Sequence, residues 1–566
     1  MKLLHFLLLL LVISCQTKTN SDSADLIIYN GIIYTVEDDE PIVEAVAVKE
    51  NKIIFSGYLD EAMTLKGDNT EMLDLEGKTM TPGLIEGHGH FMGLGNNELN
   101  LDLSKTASYQ DIIDMVAEKV KNSKPGEWIV GGGWHQSKWK ELPATMVKGF
   151  QTHEALSAVS PNNPVFLSHA SGHAGFANAK AMELAGLLSN NGKEIEVNGG
   201  EVIRYPDGRP TGIFNEVAKF LILNEIPKDS PEKTQRIFDL ALNACHRNGI
   251  TSFHDAGIDA NTISLFKRMK SEDKLKLRIH AMLAGSDSLL LADWFEKGPE
   301  IDEDNLLNIR SIKVYSDGAL GSRGAWLLEE YSDMPGHFGH QLMPLPIIEE
   351  IVSKALEKGF QVCSHAIGDR GNREILNKYE SGFNKYPEKS KDHRFRIEHA
   401  QHLNPSDIPR FAELKVLPAM QGIHLSSDRP WAIDRLGEKR IIEGAYVWQS
   451  LFKLGVPVIN GTDVPVEPIN PIACFYASVS RKTLLGTPEN GYEPAQKMTR
   501  EQALKSYTIN AAYGSFEENI KGSIKVGKLA DFTVFDQDIM KIPEADILKT
   551  KVAMTIFDGK VVYKAQ

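Results

Sequence analysis

Two histidines one residue apart stand in TPGLIEGHGHF, residues 81–91. Successive side chains of an extended strand point to opposite faces, so His88 and His90 share a face and present two imidazoles side by side, which suits a divalent metal. Gly89 between them leaves room for other groups, and Pro82-Gly83 upstream is a turn signal that sets where the strand begins. A His-x-His pair alone also describes ordinary strands; a metal site is recognised by its full ligand set.

Four further apolar runs carry or end in side chains of that kind: IKVYSDG with Lys313, FQVCSHA with His365, FRIEH with His399 and VPVINGTD with Asp463. His365, His399 and Asp463 are separated by about 35 and about 65 residues, the room that strand-helix repeats need, and in a parallel barrel the strand ends converge on one mouth. The order is therefore two His, Lys, His, His, Asp, and the expected ligands are His88, His90, Lys313, His365, His399 and Asp463.

This order resembles the metal-dependent amidohydrolase superfamily. The wording of PGLIEGHGHF, TSFHDAG, IKVYSDGALGSRGA, SHAIGDR, FRIEHAQ, INGTDVPVEP and GSIKVGKLADFTVFD resembles its amidohydrolase 3 branch, which includes the YtcJ-like proteins and N-substituted formamide deformylase. The resemblance runs from about residue 25 to the C-terminus. It implies an α/β fold, a TIM (β/α)8-type metal-dependent hydrolase barrel with a β-sandwich built from both chain ends. It also implies a binuclear centre, with His88, His90 and Asp463 on one ion and His365 and His399 on the other.

Lys313 needs its own chemistry, because an ammonium has no lone pair to give. A lysine buried among cations has a depressed pKa, and its neutral amine can add carbon dioxide to form a carbamate whose two oxygens bridge two metals. The alternative is one ion, with Lys313 as a plain amine or hydrogen-bond donor. Zinc is the expected metal, since imidazole and carboxylate ligands suit it and hydrolysis needs no redox change.

The expected reaction is hydrolysis of a non-peptide C–N bond in an amide, N-formyl compound or cyclic amide. Metal lowers the pKa of bound water from 15.7 towards about 7, and Asp463 moves the proton to the leaving nitrogen. An esterase or lactonase could use the same ligands, and a solute-binding lipoprotein without catalysis is the rival from another class. Retention of Asp463 with all four histidines argues against the latter, because binding alone needs no general base.

The 566 residues exceed one barrel of about 250 residues. A net charge of −14 and the lack of a basic run argue against a nucleic-acid partner, leaving a small-molecule substrate. Lys2, the apolar run 3–13 and Val12-Ile13-Ser14-Cys15 resemble a bacterial lipoprotein signal, with Cys15 lipidated after cleavage. The run is shorter than the roughly 20 residues a membrane-spanning helix needs. The expected localisation is the bacterial cell envelope, lipid-anchored and outside the cytoplasm.

The expected organisation is a lipoprotein signal peptide at 1–15, a tether at 16–25 and the N-terminal part of the β-sandwich at 26–80. The barrel follows at 81–505 with an inserted subdomain at about 100–240, and 506–566 return to complete the sandwich. Alternating runs such as DLIIYNGIIYTV and LADFTVF carry the sandwich reading. Cys245, Cys363 and Cys474 read as unpaired core residues. Substrate contacts are expected from Trp134, His173, His254, Asp317 and Arg323, with core packing the competing reading for Trp134, a satisfied histidine for His173 and a structural role for His254. Among these, Arg323 could hold an anionic or carbonyl group bidentately, with a surface salt bridge as the competing reading. The branch usually shows Trp-Asp-Gln where this chain has Trp134-His135-Gln136.

Overall fold

The computed structural model describes residues 23–136, 139–169, 174–188, 197 and 200–566. His173, the signal segment with Cys15, and the tether up to residue 22 lie outside the described residues.

The alternating N-terminal runs form β1 (Ala24–Tyr34), β2 (Ile42–Lys49), β3 (Lys52–Gly57), β4 (Lys66–Asp74) and β5 (Thr79–Pro82). Next come the first barrel strand, β6 (Leu84–Gly89), and an excursion through β7 (Leu101–Asp102), β8 (Ile129–Trp134), β9 (Val165–His169), β10 (Ala174–Ala177), β11 (Gly200–Arg204) and β12 (Pro210–Glu216). The barrel resumes with β13 (Ile250–Ile258), β14 (Arg278–Ala284), β15 (Leu307–Tyr315), β16 (Gln361–Ala366), β17 (Arg396–His399), β18 (Leu417–Met420) and β19 (Ile459–Asn460). The chain returns as β20 (Phe532–Phe535), β21 (Val552–Phe557) and β22 (Lys560–Lys564).

The two ends of the chain meet in one eight-stranded sheet, ordered β22-β21-β20-β5-β1-β2-β3 with β4 on β1. The joint is the antiparallel β20–β5 pair, Phe532 opposite Pro82 through Phe535 opposite Thr79. This single sheet is what the structure shows of the expected sandwich. Alternation gives it two apolar faces, Ile28, Ile33, Val46, Val534 and Ile556 in one cluster and Ile27, Ala45 and Ala47 in another, the latter covered by Ala62 of the helix Leu59–Met63. The excursion builds a separate six-stranded sheet, β11-β12-β10-β9-β8-β7, with its own core around Trp134, Phe176 and Leu167.

Barrel strands β6 and β13 to β19 pair in parallel, in sequence order. Strand β15, LNIRSIKVY, is buried along almost its whole length because helices cover one side and packed side chains fill the other. All three cysteines among the described residues are free and buried. No helix among those residues is long and apolar enough to cross a membrane.

The ring closes between β6 and β19 without a regular ladder. The Ile85 N–H donates to the Tyr507 carbonyl (2.8 Å) instead. The buried Glu86 carboxylate accepts from the Thr462 N–H (2.5 Å) and hydroxyl (3.1 Å). At the mouth, Asp463 N–H donates to His88 O and His90 N–H to Val464 O, both at 2.8 Å. The two strands come so close that a Cβ on Gly87 would lie 2.4 Å from Asn460 O, and one on Gly461 2.5 Å from Glu86 Oε1.

Barrel and terminal sheet are locked by Arg278, which donates to Asp531 (2.7 and 3.0 Å) and to Asp558, with Arg278 and Asp531 almost wholly buried. Asp531→Ala leaves the buried Arg278 guanidinium with one carboxylate partner, Asp558, beside the Asn305 carbonyl, and breaking such a pair costs roughly 3 to 5 kcal/mol. We expect the low end, since Asp558 remains, read as a fall in urea midpoint at unchanged slope.

Candidate metal centre

The strand ends bring His88, His90, Lys313, His365, His399 and Asp463 to one place at the barrel mouth. His88, His399 and Asp463 each offer one ligand atom, and these atoms lie within 4.8 Å of one another. Asp463 Oδ1 is 3.6 Å from His88 Nε2 and 3.3 Å from His90 Nε2, and its Oδ2 is 4.0 Å from His399 Nδ1. Lys313 Nζ is 3.0 Å from His88 Nε2, and the His365 ring is 4.4 Å from that of His399.

Backbone geometry makes this convergence. In β17, Arg396 and Glu398 share the inward face by alternation, which would turn the next residue, His399, outward. His399 instead has φ +74° and Ala400 φ +41°, and this bend swings the imidazole to the mouth. Asp463 is also left-handed, at φ +58°. Such conformations in non-glycine residues cost about 1–3 kcal/mol each and cluster at functional sites.

Each of three histidines has its Nδ1 held from outside. Glu398 Oε2 holds that of His88, Ala256 O that of His90 (2.9 Å) and Gln421 Oε1 that of His399 (2.8 Å). Burial, reinforced by the charge of Lys313, lowers the His88 pKa to about 4 and the His365 pKa to about 3, and burial puts His399 well below its usual range. These imidazoles are therefore neutral, the form with a lone pair to give. Burial pushes the Asp463 carboxyl up, but its hydrogen bond with His90 pulls the other way and the carboxyl lies well below the usual carboxylate range. Burial likewise lowers the Lys313 amine, against the pull of Glu398 and Asp463.

The donor set fits a divalent ion. Neutral imidazoles of His88 and His399 converge with the ionised Asp463 carboxylate, their ligand atoms within 4.8 Å of one another, and imidazole with carboxylate is a donor set that suits such an ion.

Of the expected substrate contacts, Trp134, Arg323, Asp317 and His254 lie among the described residues. Trp134 is fully buried in the inserted sheet and its indole N–H donates to Leu167 O (2.9 Å), so it belongs to that core and not to a substrate wall. Arg323 is bidentate to Asp333 (3.1 and 2.8 Å), the salt bridge that was the competing reading. Asp317 is fully buried and accepts the N–H groups of Trp326, Ile367 and Gly368 (2.8–3.0 Å), fixing two loops behind His365; burial raises its pKa to about 7. His254 is fully buried inside the barrel, its Nδ1 2.9 Å from Arg396 Nη1.

Two kinds of residue escaped the sequence reading. Arg396 and Glu398 carried a usable signal, opposite charges at i and i+2 on a strand that leads to a ligand. His424 carried none, because it lies early in the helix Gly422–Gly444 and not at a strand end. Its ring stacks on that of His399 (centroids 6.2 Å, 16°), and its Nε2 is buried without a partner.

Comparison with known proteins agrees with this geometry. A family model described as "Amidohydrolase family" matches residues 71–563. The chain is 32% identical to "Protein LONG AFTER FAR-RED 3" of Arabidopsis thaliana, over 95% of this chain and 92% of that one. It is 27% identical to N-substituted formamide deformylase of Arthrobacter pascens, over 95% and 98%. Among solved structures, an uncharacterized metal-dependent hydrolase from Pyrococcus horikoshii superposes with a TM-score of 0.74 at 26% identity, covering 92% of this chain and 99% of that one.

Proposed function

Because the chain belongs to the amidohydrolase family, we propose that it hydrolyses a non-peptide carbon–nitrogen bond, in an amide, an N-formyl compound or a cyclic amide. The observation that carries this is the Asp463 carboxylate, ionised and nearly buried, 3.3–4.0 Å from His90, His88 and His399. The similarity to a formamide deformylase supports the choice of bond.

His88, His90, His365, His399 and Asp463 would hold the metal, for which zinc best matches the donor types. When bound, such an ion makes water acidic near neutral pH and polarises a carbonyl. Asp463 accepts the proton of the attacking water and delivers it to the leaving nitrogen, a role for an ionised group within reach of both. His424 Nε2 donates a hydrogen bond to the substrate carbonyl oxygen as negative charge grows there. Lys313 would decide the ion count: a carbamate there would suit two ions, and a plain amine would suit one.

Metal analysis of protein purified without chelator, followed by a panel of paired amide and ester substrates, tests the reading. Activity on esters with none on the matched amides would overturn the bond assignment. His424→Ala should retain the metal and lower kcat by about 10²–10³-fold, the usual cost of one such donor; an unchanged kcat removes His424 from this role. For the cellular setting we propose lipid attachment at Cys15 and display outside the cytoplasm. Intact mass of the native protein checks this, the expected species starting at a lipid-modified Cys15; an unprocessed Met1 start or cleavage at another bond would overturn it.

A further inference from the structure

The three outer partners of the histidines differ in kind. His90 and His399 face neutral oxygens, whereas His88 faces a carboxylate that is itself clamped. Arg396 Nε donates to Glu398 Oε1 (2.7 Å) and Arg396 Nη2 to Glu398 Oε2 (2.8 Å). The same guanidinium donates to Gly87 O (2.7 Å), next to His88 in the chain, and its Nη1 lies against His254 Nδ1 (2.9 Å). Arg396 and Glu398 are completely buried and His88 is 1% exposed.

The geometry points to Glu398, held by Arg396, as the positioning residue of His88. An ionised carboxylate has only acceptors, so the proton between it and His88 resides on Nδ1, and the lone pair is left on Nε2. That Nε2 is the atom facing Lys313 Nζ (3.0 Å) and Asp463 Oδ1 (3.6 Å). Because Arg396 grips both the carboxylate and the backbone beside His88, ring orientation and strand position are set by one group. Arg396 also satisfies the carboxylate bidentately, which keeps Glu398 on the imidazole's outer side. His254, expected from sequence to touch substrate, lies instead against Nη1 of Arg396.

The inference rests on the reading of His88 as a metal ligand, and its test separates the two. Zinc affinity is measured by competition with a chromophoric chelator, and ligand geometry by the visible spectrum of the cobalt(II) protein, on wild type, Glu398→Gln and the double variant Glu398→Gln/Arg396→Gln. Glutamine keeps volume and an acceptor but not the charge, and the double variant leaves no unpaired buried cation, so it serves where the single variant fails to fold. Loss of such an outer partner weakens metal binding by about 10–100-fold. We expect that loss and an altered cobalt spectrum in both variants, including the double variant after its stability has recovered. Affinity and spectrum that return to wild type in the double variant would show a purely structural ion pair and overturn the role. A wild-type chain that takes up no zinc overturns the ligand reading itself, and this inference with it.

Discussion

Asp463→Asn should lower turnover by about 10²–10⁴-fold, the usual contribution of a positioned acid–base group. An amide offers a carbonyl oxygen to a metal and to the donors around it, but it cannot take up and return a proton near neutral pH. The surroundings favour a clean result. The Asp463 N–H is spent on His88 O and the Asp463 side chain is almost buried, so an isosteric amide disturbs little of the backbone that places it. The loss should appear in kcat with metal content retained, since an interaction needed only in the transition state lowers kcat and kcat/KM together. A metal-loaded variant that hydrolyses a C–N substrate at close to the wild-type rate would leave the proton transfer without a donor.

The second large effect is expected from His88→Ala. His88 is the histidine that meets Lys313, Asp463 and the Arg396–Glu398 pair at once. Its removal takes away a neutral imidazole and leaves the carboxylate of Glu398 paired with Arg396, so the fold should survive while the metal-to-protein ratio falls towards zero. Without the ion, water keeps its ordinary pKa of 15.7 and activity should drop to background. Elemental analysis beside thermal unfolding distinguishes this from misfolding; full metal content in a folded His88→Ala protein would remove His88 from the ligand set.

How much of this was legible in the sequence depended on whether the signal was local. Runs such as IKVYSDG and FQVCSHA read as barrel strands because their burial is continuous and their ends carry polar groups, and both are strands here, β15 and β16. The meeting of the chain ends was legible from alternation, although the pairing of β5 with β20 joins segments about 450 residues apart, a relation that no window of sequence contains. The inserted sheet, expected only as a subdomain at about 100–240, is built by pairings across loops, and Trp134 stood between substrate contact and core packing because an aromatic in a loop-like GGGW looks the same whether it lines a cavity or a core. The bend that turns His399 inward was invisible too. Alternation alone lets Glu398 or His399 face the interior, and only the positive φ allows both.

The joint between β6 and β19 has a consequence for how the enzyme can move. A closed barrel is a hoop, and this hoop is fastened at one place by two backbone hydrogen bonds and a single carboxylate in place of a ladder. His88 and His90 stand on one side of that fastening and Asp463 on the other, so the spacing between acid and imidazoles depends on that closure. Breathing of the hoop, at the cost of a few hydrogen bonds rather than a whole strand's worth, would be felt first as a change in the 3.3–3.6 Å distances between these groups. The chain thus places its chemistry across the clasp of the barrel, where a motion of a few tenths of an ångström in the scaffold is already a motion of the reacting groups.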